Sequence, residues 1–85
     1  DKPNHPDIAA SYDSLGETYR SKREDEQAID YHKQALEIRL KAYKHSPNHP
    51  DIAASYNNLG ATYRNKGEHE QVLKHHEKAF EIRLE

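Results

Sequence analysis

Apolar and small residues recur along this chain at steps of three and four, separated by polar stretches. Ile8, Tyr12, Leu15 and Tyr19 follow one another at steps of four, three and four, which is one face of an α-helix. Ala28, Ile29, His32, Ala35, Leu36, Leu40 and Tyr43 trace a second helical stripe. Both patterns then return, first as Ile52, Tyr56, Leu59 and Tyr63, then as Val72, Leu73, His76, Ala79, Phe80 and Leu84. Four helices are therefore expected, over roughly 6–22, 24–45, 50–66 and 68–85.

The return is a true repeat with an offset of 44 residues. NHPDIAASY stands at Asn4–Tyr12 and again at Asn48–Tyr56, LGETYR at Leu15 answers LGATYR at Leu59, and EIRL occurs at Glu37 and Glu81. Aligning 4–40 with 48–84 gives 24 identities in 37 positions without a gap. Periods of this length belong to stacked supersecondary units, each unable to bury its apolar face alone. The chain reads as one two-repeat module over 1–85, repeat 1 at about 4–45 and repeat 2 at about 48–85, the second cut short at its C-terminal end. The expected fold class is all-α, a right-handed solenoid of antiparallel helix–turn–helix pairs.

Local signals place the breaks. Pro6 and Pro50 suit the first turn of a helix, where a missing N–H costs nothing. Asn4 and Asn48 are the expected caps, with Asp7 and Asp51 three residues on. Gly67 is expected in a left-handed conformation where the third helix ends, and Arg23 occupies the same place in repeat 1. Ser46-Pro47-Asn48-His49-Pro50 breaks the chain between repeats. Acids open the second helix (Glu24, Asp25, Glu26) and bases close it (Arg39, Lys41, Lys44), both favourable to its dipole. Gly16 and Gly60 each cost about 1 kcal/mol inside a helix, so they imply a close crossing with the second helix of their own repeat.

Composition narrows the function. Of 85 residues, 33% are hydrophobic and 33% charged, there is no cysteine, and the net charge is −2. Mean hydropathy is −1.28. Lack of cysteine removes disulfides and thiolate metal sites and fits an intracellular, cytoplasmic setting. Near-neutral charge offers no field to recruit nucleic acid or an anionic membrane, and no apolar stretch is long enough to span a bilayer. No phosphate-cradling loop, thiol nucleophile or facing carboxylate pair is present, so no catalytic residue and no cofactor are expected.

Tyr12, Leu15, Gly16, Tyr19, Ala28 and Ala35, with Tyr56, Leu59, Gly60, Tyr63 and Ala79, resemble the tetratricopeptide signature. The string HPDIAASYNNLGATYRNKGEHEQVLKHHEKAFEIRL resembles the longer subclass found in kinesin light chains. His32 and His76 stand where an aromatic is usual, and Val72 replaces an alanine. Leu40 and Leu84 stand where shorter repeats often have proline, so the second helix is expected to continue about two turns further. The resemblance implies a non-catalytic scaffold that captures a protein or peptide on a concave face lined by the first helix of each repeat. By helical phase that face presents Asp13, Ser14, Glu17, Arg20 and Ser21, then Asn57, Asn58, Ala61, Arg64 and Asn65. Asparagine can serve both donors and acceptors of a peptide backbone, and Arg20 and Arg64 are placed to bracket a carboxylate. Capture of a chaperone tail is not expected, because Asp13 and Glu17 repel it.

Two other readings compete. Seven histidines, with His69, His75 and His76 on one helix, invite a metal, but neutral core histidines are the simpler account of His32 and His76. Self-association is the stronger rival. Two repeats fall short of the usual three, and the chain reads as an excerpt of a longer array. Its ends would then stack through residues such as Phe80 and Leu84, or exchange helices about a hinge at Pro47 and Pro50, giving a homo-oligomer.

Overall fold

The computed structural model describes residues 5–84, with side chains as far as Ile82. Four helices follow in order: α1 Pro6–Ser21, α2 Asp25–Ala42, α3 Pro50–Lys66 and α4 His69–Leu84. Each packs against the next in sequence, and α1 also touches α3. So α1 and α3 form one layer and α2 and α4 the other, in a slab 34 × 32 × 12 Å.

Helix starts depart from the expected caps. Asn4 lies outside the described residues, and Asn48 is exposed in the turn. The caps are His5 and His49, whose Nδ1 atoms accept the backbone N–H of Asp7 and Asp51 at 3.0 Å. An imidazole held in extended backbone just before a proline reaches the same orphan donor that an asparagine oxygen would. Pro6 and Pro50 take the first turn as expected.

The turns within repeats share one geometry. Gly67 is left-handed at φ 76° and Arg23 at φ 66°. In both, the next residue's N–H reaches back to a tyrosine carbonyl: Glu24 to Tyr19 at 2.9 Å and Glu68 to Tyr63 at 3.1 Å. These are Schellman closures, and repeat 1 makes its own with a side chain that strains the backbone.

Helix α2 ends at Ala42, short of the two extra turns expected beyond Leu40. Tyr43 leaves the helical stripe because it has better partners in the loop. Its ring stacks on His49 with centroids 3.7 Å apart and planes 6° off parallel, and its hydroxyl donates to Asp51 Oδ2 at 3.0 Å. Burial first, and then the hydrogen bond to Asp51, raise the Tyr43 phenol above its ordinary pKa. The chain then turns through Ser46 and His49 into α3.

The core runs through the inner two helices. Ile29 of α2 packs with Leu59 and Tyr63 of α3, and Leu36 and Val72 close around them. Identical residues in α1 fare differently. Ile8 is 36% exposed and Leu15 43%, whereas Ile52 and Leu59 are each 1% exposed. Helix α3 is covered by α2 and α4, whereas α1 is covered chiefly by α2.

Candidate functional site

A buried polar chain links the two repeats. His32, fully buried, meets Asp13 Oδ1 through Nδ1 at 2.7 Å. Arg39 Nη1 donates to Asp13 Oδ2 and, at 2.7 Å, to Ser55 Oγ, which is fully buried in α3. An ionised carboxylate only accepts, so Nδ1 of His32 donates to Asp13, while Nε2 faces Gly16. A Cβ at Gly16 would lie 2.7 Å from that Nε2, and one at Gly60 would lie 2.9 Å from His76 Nε2. Each glycine thus makes room for a histidine of the paired helix. In repeat 2 the partner of His76 Nδ1 is the neutral Asn57 Oδ1, at 3.0 Å.

The ten candidate partner-binding residues all lie on α1 and α3, the layer whose helices touch. Their states differ. Asp13 has both oxygens engaged within the fold, and Asn57 is tied to His76. Arg20 donates to Glu17 from Nη2 at 2.6 Å and from Nε at 3.2 Å. That bond, before all else, raises the Arg20 pKa and keeps the guanidinium charged. Glu17 Oε2 also stands 3.4 Å from His32 Nε2. Ser14, Ser21, Arg64 and Asn65 are exposed, and Asn58 and Ala61 are half-buried. Among the described residues Arg64 forms no ion pair, so Arg20 and Arg64 are not equivalent as carboxylate ligands.

No three metal-ligating side chains converge among the described residues. His76 turns to Asn57, and His75 Nδ1 meets the Gln71 carbonyl at 2.8 Å. No helix of the described residues is long and apolar enough to cross a membrane.

Two family models for the tetratricopeptide repeat match the chain, one over residues 8–51 and the other over 40–85. The chain belongs to the tetratricopeptide-repeat family. Together with four helices in antiparallel pairs, this places it among all-α helical-repeat proteins, a family that generally mediates protein–protein interaction and is generally non-catalytic. No curated protein sequence matches it.

Within this tetratricopeptide-repeat fold, Arg39 and Ser55 are the residues that pattern reading passed over. Arg39 was assigned to the basic end of α2, yet it is buried at the junction between repeats. The signal was available: Ile29, His32, Leu36 and Arg39 follow steps of three, four and three, which puts Arg39 on the buried stripe. Ser55 similarly falls midway between Ile52 and Leu59 on the face of α3 that α2 covers.

Proposed function

We propose that the chain is a non-catalytic interaction scaffold of the longer, kinesin-light-chain-like subclass, and that its α1–α3 layer receives an extended peptide with an acidic side chain. The observation that carries this reading is the contrast between the two halves of that layer. In repeat 1 the charges are matched internally, Glu17 to Arg20 and Asp13 to Arg39. In repeat 2 alanine and asparagine replace the two acids, at Ala61 and Asn57, and Arg64 is left exposed. An acidic ligand therefore meets repulsion already neutralised on one half and an available guanidinium on the other. Asn58 and Asn65 flank it with amide groups suited to a peptide backbone.

The test is titration with fluorescent twelve-residue peptides carrying one glutamate in a polar background, read by anisotropy. Arg64→Ala should weaken binding by about tenfold, equivalent to roughly 1.4 kcal/mol. Arg20→Ala should matter less, and a neutral glutamine peptide should bind weakly. Equal losses from the two arginines, or no preference for the acidic peptide, would refute the assignment.

A second reading, self-association through the repeat ends, is supported by Leu73 and Phe80 of α4, which are 63% and 62% exposed. Apolar side chains of this size gathered on one helix face favour a partner surface.

A further inference from the structure

Resting on that second reading, we infer that its partner is a second copy of this chain, docked so that α4 of one copy packs on α1 of the next and repeats the internal seam between α2 and α3. The seam itself is the template. Its α3 side buries Ile52, Ser55, Leu59, Thr62 and Tyr63. At the 44-residue offset α1 carries Ile8, Ser11, Leu15, Thr18 and Tyr19, identical at every position. Four of those five, all but Tyr19, are exposed.

The opposite side of the seam is matched too. Ile29 and Leu36 of α2, which pack on Leu59 and Tyr63 of α3, correspond to Leu73 and Phe80 of α4. Where α3 lies over Ile29 and Leu36, the equivalent Leu73 and Phe80 border an open groove of about 600 Å³, which also includes His76, Glu77 and Glu81.

Charge fixes the register. Across the internal seam Lys66 Nζ donates to Glu26 at 2.6 Å while also meeting Glu68 of its own turn at 2.8 Å. On α1 the equivalent Lys22 meets Glu24 of its own turn at 3.4 Å. Among the described residues Lys22 has no cross-seam partner, and the residue equivalent to Glu26 is Glu70, exposed on α4. One copy's Lys22 and the next copy's Glu70 therefore complete the pair. The two contacting faces are different, so the association is head to tail, and it grows as an open array and does not stop at a dimer.

Sedimentation equilibrium of the full chain over a hundredfold concentration range, with helicity followed in parallel, tests this. The mean mass should rise continuously past twice the chain mass. Leu15→Glu and Phe80→Glu should each weaken growth by about 10- to 100-fold, the range set by burying one large apolar side chain. Their equimolar mixture should stop at a dimer, since one good face of each kind remains. Both positions are largely exposed in the single chain, so helicity at low concentration should be retained. Should either variant lose helicity, charge reversal decides: Lys22→Glu and Glu70→Lys should each weaken growth and the double variant restore it, and no such rescue overturns the seam. A plateau at the dimer, sensitive to Phe80→Glu and indifferent to Leu15→Glu, overturns the head-to-tail seam while leaving self-association standing. A monomer at every concentration overturns both.

Discussion

Helices α1 and α3 are nearly the same sequence in two different places. Both open with PDIAASY and both carry leucine, glycine, threonine, tyrosine and arginine at matching positions. Yet Ile52 and Leu59 are sealed in the core, while Ile8 and Leu15 keep over a third of their surface in contact with solvent. The cause is the number of neighbours: α3 is held between α2 and α4, and α1 has α2 and only a slight contact with α3. An amphipathic stripe states which face of a helix prefers burial; it does not supply the surface that buries it. The histidine sites make the same point in electrostatic terms. His32 is completely enclosed and held by a carboxylate, whereas His76 is half-buried and held by an amide.

Variants at paired positions can break or sharpen this comparison. The largest difference is expected at the histidine partners. Asp13→Ala leaves Arg39 as an uncompensated buried charge and should cost about 3–5 kcal/mol. Asn57→Ala leaves only an unpaired N–H and should cost about 1–3 kcal/mol. Urea unfolding of both, at concentrations where the chain is monomeric, measures the gap; equal costs would mean that the charge at the junction adds nothing.

Next come the paired leucines. Leu59→Ala should cost about 2–5 kcal/mol through lost transfer energy and a cavity. Leu15→Ala, at its open position, should cost under about 1 kcal/mol. If the two match in dilute solution, α1 is covered in a way the fold does not provide.

The turns give a smaller effect of opposite sign. Arg23→Gly removes a side chain from left-handed backbone and should raise stability by about 1 kcal/mol, and Gly67→Arg should lower it by a similar amount. A melting temperature that falls with Arg23→Gly contradicts the shared turn geometry.

The smallest effect concerns the lysines. Hydrogen bonds, to Glu26 first and then Glu68, hold the Lys66 pKa above its ordinary value. For a base with a raised folded pKa, the stabilisation is complete below the unfolded value, about 10.4, and is lost as pH rises through the folded one. Lys66→Met should therefore lower the melting temperature slightly more than Lys22→Met at pH 7. That difference should shrink only above about pH 10.4 and in high salt. A difference that vanishes at mildly alkaline pH would point to another group.

Much of this architecture is legible without coordinates because it rests on local physics. Period and offset mark four helices in two pairs, since helical spacing is a property of the backbone. Pro6 and Pro50 mark helix starts because a fixed φ and a missing N–H suit only the first turn. Gly16 and Gly60 signal a close crossing because their helical cost demands a steric reason, although that reason, a histidine ring, becomes visible only when the helices meet. The caps were legible in kind and misplaced by one residue, because asparagine and histidine both offer an acceptor and only loop geometry chooses between them.

What the sequence determined by itself is therefore the set of helices, their pairing and the face that each prefers to bury. Tertiary structure decided the rest. It chose Tyr43 for the loop over the helix, drew Arg39 into the junction to meet Asp13 and Ser55, and paired Arg20 with Glu17 while leaving Arg64 exposed. It also divided one repeated stripe into a buried copy and an open one. The physical reason is range: helical periodicity and caps act within a turn or two of the chain, whereas burial and ion pairing depend on which surfaces arrive from elsewhere.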